Sequence, residues 1–372
     1  MPPTRLSDLT LPMICGQLIV GGFDGPRLPE PYAEALGAGL RGGAILFRRN
    51  IPTVEAANHI CRDIVQATRS YFPPFIGVDQ EGGRVARMPS PFPKLPPMRL
   101  LGAVGDASLA RRAGRLIGEE LLATGFNLDF APVLDVDSNP DNPIIGDRAF
   151  GRTPTEVAEL AVAFGLGLED AGVLSCGKHF PGHGDTSVDS HVGLPIVQHG
   201  KERLDAIELA PFRAAARAGL GTMMTAHVVV TSIDAQVPAT LSRAVCTDLL
   251  RGDVGFRGVL FSDDLEMAAV AAQYQVEVSA VAAVRAGCDA LLICSNMEWQ
   301  ERALAALVAE AERDPAFRER CLEAAGRGIE ARLRMPPKPA RDAEELARLV
   351  GRPESVALYE EITRRAAEAG VA

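Results

Sequence analysis

Two short patterns in this chain set proton-transferring and nucleophilic side chains at spacings that chemistry can use. The first is Asp189-Ser-His191, a carboxylate two residues from an imidazole. Such a carboxylate favours the protonated imidazole and fixes its tautomer, which makes a group that gives and takes protons near neutral pH. The second is Asp263-Asp264, which closes the run Gly258-Val-Leu-Phe-Ser262. Successive side chains of extended backbone point to opposite faces, so one carboxylate of the pair can stand free while the other is buried or bonded to backbone. A free aspartate there suits a glycosidase nucleophile, which attacks an anomeric carbon and later leaves as a carboxylate. Spacing alone does not choose between Asp263 and Asp264.

Each pattern has a plainer reading. An isolated Asp-x-His more often ties a loop down than does chemistry, and an aspartate at a strand end is often a cap. The loop Lys178-His-Phe-Pro-Gly-His-Gly-Asp-Thr-Ser-Val-Asp-Ser-His191 also carries His179, His183 and Asp185, which with His191 offer a metal-ligand set. Metal is the weaker rival, because histidines at that spacing are normally held on a helix and the intervening Phe180-Pro-Gly182 forbids one. What favours chemistry is concentration: of the six histidines, those at 179, 183, 191 and 227 fall in this loop or at expected strand ends. Arg84, Arg87, Arg148 and Lys178, with Asp79, offer hydrogen bonds to a polyhydroxylated ligand. Any one of them taken singly is as readily an ordinary ion pair.

These residues need a scaffold that brings distant segments to one end. Apolar runs at 18–22, 43–47, 74–78, 127–133, 173–178, 221–226, 258–262 and 290–294 alternate with stretches of helical spacing, for example 53–70, 108–124, 155–171, 202–218 and 276–286. Eight strands in βα alternation predict a (β/α)₈ barrel, a single TIM-barrel domain over residues 1–334. No G-x-G-x-x-G follows the first strand, which weighs against an open doubly wound sheet. In a barrel the loops after the strands carry the chemistry, and the polar and glycine-rich segments of this chain fall there. Past Leu333, Met335-Pro-Pro-Lys-Pro339 reads as a linker. Residues 335–372 are expected to form a short C-terminal helical extension packing on or near the barrel.

The 372 residues are 47% hydrophobic and 23% charged, which fits a globular protein with a large core. A net charge of -10 speaks against nucleic acid or an anionic membrane as partner. Seven cysteines without a C-x-x-C pair read as reduced core thiols. No signal peptide or spanning segment is visible, so the expectation is a cytoplasmic protein, monomeric, with no cofactor and no metal.

At this point the motifs resemble glycoside hydrolase family 3, and within it the NagZ-type β-N-acetylglucosaminidases. The resemblance covers roughly residues 10 to 300. It rests on Gly77-Val-Asp-Gln-Glu-Gly-Gly-Arg-Val-Ala-Arg87, Leu134-Asp-Val136, Gly146-Asp-Arg-Ala-Phe-Gly151, the strand-five loop through Asp189-Ser-His191, and Phe261-Ser-Asp-Asp-Leu265. It implies a retaining mechanism with Asp263 as nucleophile and His191 as acid/base, steered by Asp189. It also implies that Asp79, Arg87, Arg148, Lys178 and His179 hold an N-acetylglucosamine ring, and that the substrate is a small carbohydrate from cell-wall turnover. The Asp-x-His loop and the short tail favour this branch over the β-glucosidases of the family. Met267-Ala-Ala, standing where a glycine is often seen, departs from the pattern. A metal-dependent barrel hydrolase and a sugar-binding barrel without turnover are the remaining alternatives.

Overall fold

The computed structural model describes residues 5–68, 72–186, 193–338 and 341–370. Eight parallel strands close on themselves in chain order: β1 (Ile19–Gly21), β2 (Gly43–Leu46), β3 (Phe75–Val78), β4 (Leu128–Asp129), β5 (Leu174–Phe180), β6 (Thr222–Thr225), β7 (Val259–Asp264) and β8 (Ala290–Ile293). β1 pairs with both β2 and β8, which completes the ring. The barrel expected from the apolar runs is therefore the fold.

The strands read as nearly unbroken apolar runs because both of their faces are buried. Inward-facing Val20, Ile45, Phe75, Phe130, Leu174, Met224, Phe261 and Leu292 fill the interior. The Phe261 ring meets Phe75 and Phe130 edge-on at centroid distances of 5.3 and 5.4 Å, so the barrel is plugged rather than hollow. Each ring contributes about 2 kcal/mol through the apolar surface it removes from water. The outward-facing residues form a larger core with the surrounding helices. Several of those helices begin on residues that satisfy otherwise unpaired amides: Thr53 accepts from Ala56, Asp106 from Leu109 and Thr153 from Glu156. All seven cysteines are buried and free.

Two expectations change, both at prolines. The run 127–133 is a ladder over Leu128–Asp129 alone, with Val133 rejoining by a single bridge to Lys178. Pro132 lies between them and has no N–H to donate. The helical stretch 202–218 is two helices, Lys201–Ala206 and Ala210–Ala218, and Pro211 opens the second, where a missing N–H costs nothing. The stretch 53–70 is helical over Val54–Ala67, and residues 69–71 lie outside the described ones.

Helices Ala343–Leu349 and Pro353–Glu368 of the tail lie against helix Ala107–Thr124 and its neighbour Met98–Val104. There Arg352 pairs with Glu119 at 2.8 Å, and buried Glu120 accepts from Gly351 N and Ser355 Oγ. No described helix is long and apolar enough to cross a membrane.

Candidate active site

The segment leaving β3 turns back at once as a two-stranded hairpin, Gln80–Gly82 against Val85–Ala86. Gln80 fixes it: its backbone N–H donates to Asp129, and its side-chain oxygen accepts from Arg87 N and Met88 N. The hairpin presents Asp79 and Glu81 to Lys178 at the end of β5. Lys178 Nζ lies 2.7 Å from Asp79 Oδ1 and 2.6 Å from Glu81 Oε1. Arg148 grips Glu81 with two parallel hydrogen bonds of 2.8 Å from Nε and Nη2, a geometry that adds direction as well as energy. Burial alone would raise the Glu81 carboxyl, but Arg148 and Lys178 outweigh it and hold it well below the usual carboxylate range. Both cations stay charged for the complementary reason, against the pull of burial.

A second knot forms around Asp135, which is fully buried. Its Oδ2 lies 2.7 Å from His179 Nδ1 and accepts from His179 N, and its Oδ1 accepts from His183 N at 2.7 Å. Burial opposes ionisation of Asp135, but the two histidines hold its carboxyl below the usual range. His179 Nδ1 therefore carries the proton shared with Asp135, and the ring's orientation is fixed. Close approach makes this possible: a Cβ on Gly184 would lie 1.7 Å from the Val136 carbonyl oxygen. Burial, with His179 nearby, pushes the His183 imidazole down to about 4, so it is neutral near pH 7.

Asp263 and Asp264 end β7, and the register against β8 shifts between Phe261 and Asp264. Both border the cavity, and, as alternation led one to expect of one member of the pair, Asp264 is bonded to backbone amides. They are not equivalent. Among the described residues, Asp263 Oδ1 accepts one backbone hydrogen bond, from Asp264 N at 2.8 Å. Burial pushes its carboxyl up, but His227, His179, that amide and Lys178 prevail and lower it, so it stays ionised. Asp264 Oδ1 accepts from Glu266 N and Cys294 N, yet burial, with Glu266 and Asp263 beside it, pushes the carboxyl up to about 7.

That difference has a measurable sign. The folded-state value of Asp264 stands above an unfolded value of about 3.9, so stability falls as pH rises from about 4 towards 7. Asp264→Asn keeps the carbonyl acceptor and cannot ionise. Its stability relative to the wild-type protein should therefore rise by about 1.4 kcal/mol per pH unit across that window. Chemical denaturation at several pH values checks this, and a difference that does not vary with pH refutes it.

Of these side chains, Asp79, Glu81, Arg148, Lys178, His179, His183, Asp263 and Asp264 line one cavity of about 760 Å³ at the C-terminal ends of the strands. Asp79, Arg87, Arg148, Lys178, His179 and Asp263, singled out in the sequence, all border it. Arg87 keeps a buried Nε with no hydrogen-bond partner among the described residues. Asp189 and His191 lie outside the described residues. Sequence reasoning did not select Glu81, His183 or Asp264 for the pocket; Glu81 stood inside a quoted motif and differed in nothing but its burial. Of the suggested metal set, His179, His183 and Asp185 lie among the described residues and His191 does not. Nδ1 of His179 and of His183 is engaged by Asp135 and Thr186, and among the described residues the grouping with metal-like spacing is Asp185, His199 and Glu208.

The chain matches the model of the glycosyl hydrolase family 3 N-terminal domain over residues 10–322. A β-hexosaminidase of Thiobacillus denitrificans is 42% identical over 289 residues, 76% of this chain and 79% of the relative. Among solved structures, a family 3 β-N-acetylglucosaminidase from Paenibacillus superposes with a TM-score of 0.91 at 40% identity, covering 96% of this chain and 69% of that one. NagZ from Neisseria gonorrhoeae, solved with N-trifluoroacetyl-D-glucosamine, gives 0.76 at 33% identity, covering 94% and 98%.

Proposed function

The chain belongs to glycosyl hydrolase family 3, and from that premise we propose that this glycoside hydrolase is a retaining exo-β-N-acetylglucosaminidase working through a covalent glycosyl-Asp263 intermediate. The observation that carries the reading is the half-buried Asp263 carboxylate at the end of β7, in a cavity also lined by Asp79, Lys178, Arg148 and His179, with His227, His179 and Lys178 favouring its ionised form. In the first step an Asp263 oxygen bonds to the anomeric carbon as the bond to the aglycone oxygen breaks, and His191 gives that oxygen a proton. In the second, His191 takes a proton from water, whose oxygen displaces Asp263 and restores the starting configuration. Asp189 orients His191 throughout. Lys178, Arg148 and Asp79 bind ring hydroxyls, and Arg87 supplies a further donor.

The substrate class proposed is terminal β-linked N-acetylglucosamine on 1,6-anhydro-N-acetylmuramoyl peptides, in cytoplasmic peptidoglycan recycling, with the enzyme acting as a monomer. The acetamido sugar is supported by the ligand of the gonococcal structure and by the name of the Paenibacillus relative. Residues 1–334 form the catalytic barrel in this reading, and 335–372 its helical extension.

Release of aryl alcohol from aryl β-N-acetylglucosaminide and from aryl β-glucoside, each with and without a chelator, tests the proposal. A preference on the order of 100-fold for the acetamido sugar, unchanged by chelation, is expected. A glucoside preference moves the chain to the glucosidase branch, and chelator sensitivity returns the metal reading. Binding without product release would leave a sugar-binding barrel.

A further inference from the structure

Four polar side chains outside the cavity meet at the two flanks of residues 187–192. Asp185 stands on the upstream flank. From the downstream side, His199 Nε2 donates to Asp185 Oδ2. Arg203, on helix Lys201–Ala206, places Nη2 3.0 Å from the same oxygen and 3.5 Å from Glu208 Oε1. Glu208 sits in the break between helices Lys201–Ala206 and Ala210–Ala218 and is 3% exposed. It packs on Gly182, whose φ of +125° suits glycine and where an added Cβ would meet Glu208 Cβ at 2.8 Å. Residues 199–208 thus hold the upstream flank at two points.

Asp185, His199 and Glu208 offer ligand atoms within 4.8 Å of one another. Arg203 argues against a metal there: its guanidinium already lies against both carboxylates, so a divalent cation would stand beside a fixed positive charge. The arrangement fits a clamp better than a binding site.

Each flank is also tied to the barrel separately. Upstream, Thr186 Oγ1 bonds with His183 Nδ1 at 2.6 Å and accepts from Asn142 Nδ2. Downstream, Ile196–Val197 pairs with Val229–Val230, and Val229 N donates to Pro195 O. The bonds from His199 and Arg203 to Asp185 join one flank to the other, and His191 lies between those flanks in sequence.

We propose that His199 and Arg203 are positioning residues for the proton-transfer steps, acting by clamping the ends of the segment that carries His191. The proposal rests on His191 being the acid/base. Fixing both ends of a short segment removes conformations it would otherwise sample. A general acid works only within hydrogen-bond reach of the leaving oxygen, so a displacement near 1 Å is costly.

The test measures kcat/KM across aryl β-N-acetylglucosaminides of rising leaving-group pKa. His199→Ala should lower kcat/KM about 10-fold on the poorest leaving group, a fraction of what general acid catalysis supplies, and little on the most activated. His199→Gln, which keeps a donor near the Nε2 position, should recover most of the loss. In a His191→Ala background, His199→Ala should add nothing, because its effect runs through the missing imidazole. A loss uniform across leaving groups, or an undiminished further loss in that background, overturns the clamp. If His191→Ala itself shows no leaving-group dependence, the acid/base reading has failed and takes the clamp with it. Should His199→Ala not fold, Arg203→Met carries the same comparison.

Discussion

Asp263→Asn is expected to lower kcat by about 10⁴-fold or more on aryl β-N-acetylglucosaminides while leaving the fold intact. Asparagine has the same shape and keeps the oxygen that accepts from Asp264 N at 2.8 Å, so the β7 end should hold its geometry. What it loses is the charge that attacks the anomeric carbon. The environment distinguishes this residue from its neighbour: His227, His179 and Lys178 keep Asp263 ionised, whereas burial pushes Asp264 up to about 7 and backbone amides occupy its Oδ1. In Asp263→Ala, which vacates the space of the carboxylate, an external anion such as azide should restore cleavage of activated substrates and give the product of opposite anomeric configuration. Steady-state rates with far-UV circular dichroism check the first part, and NMR of the product checks the second. A variant within tenfold of the wild-type rate would mean that Asp263 is not the nucleophile.

The barrel was legible because strands buried on both faces appear as apolar runs whatever their partners, and because glycines and polar residues gather after them. It blurred where one residue overrides a pattern. Pro132 interrupts the ladder of a segment that is apolar throughout, and Pro211 splits a stretch with continuous helical spacing. The pocket was legible in part for a different reason. Asp79, Arg148, Lys178 and His179 announced themselves by type and by their place after strands. Glu81 did not: a glutamate between Gln80 and two glycines looks like loop surface, and its burial under Arg148 and Lys178 arises from contacts 67 and 97 residues away in sequence. That one of Asp263 and Asp264 would be bonded to backbone was legible from strand alternation, but spacing could not say which, because only the surroundings, Glu266 N and Cys294 N on Asp264 Oδ1, tell the two apart.

Glu81→Gln carries the other large effect, and on two observables. The wild-type carboxylate, 1% exposed, neutralises Lys178 and Arg148, themselves 3% and 11% exposed. The amide offers no charge and turns an N–H₂ towards an ammonium or a guanidinium. Removing one partner from a buried ion network costs about 3–5 kcal/mol, because the charges left behind remain desolvated. Asp79 still holds Lys178, whereas among the described residues Arg148 keeps only a bond to the Ile144 carbonyl oxygen. With Arg148 no longer aimed and Lys178 held by Asp79 alone, kcat/KM should fall about 100-fold, in line with the worth of a charged hydrogen bond. The pH dependence separates this cause from a packing defect. Glu81 is held well below the usual carboxylate range in the folded state, so its stabilisation is complete above an unfolded value near 4.3 and fades as pH falls below it. The stability gap between wild type and Glu81→Gln should be constant from about pH 5 to 7 and narrow by about 1.4 kcal/mol per unit below pH 4. Denaturant unfolding across pH 3 to 7 measures that gap. One that stays constant down to pH 3 would show that the carboxylate's charge does not hold Lys178 and Arg148 in place.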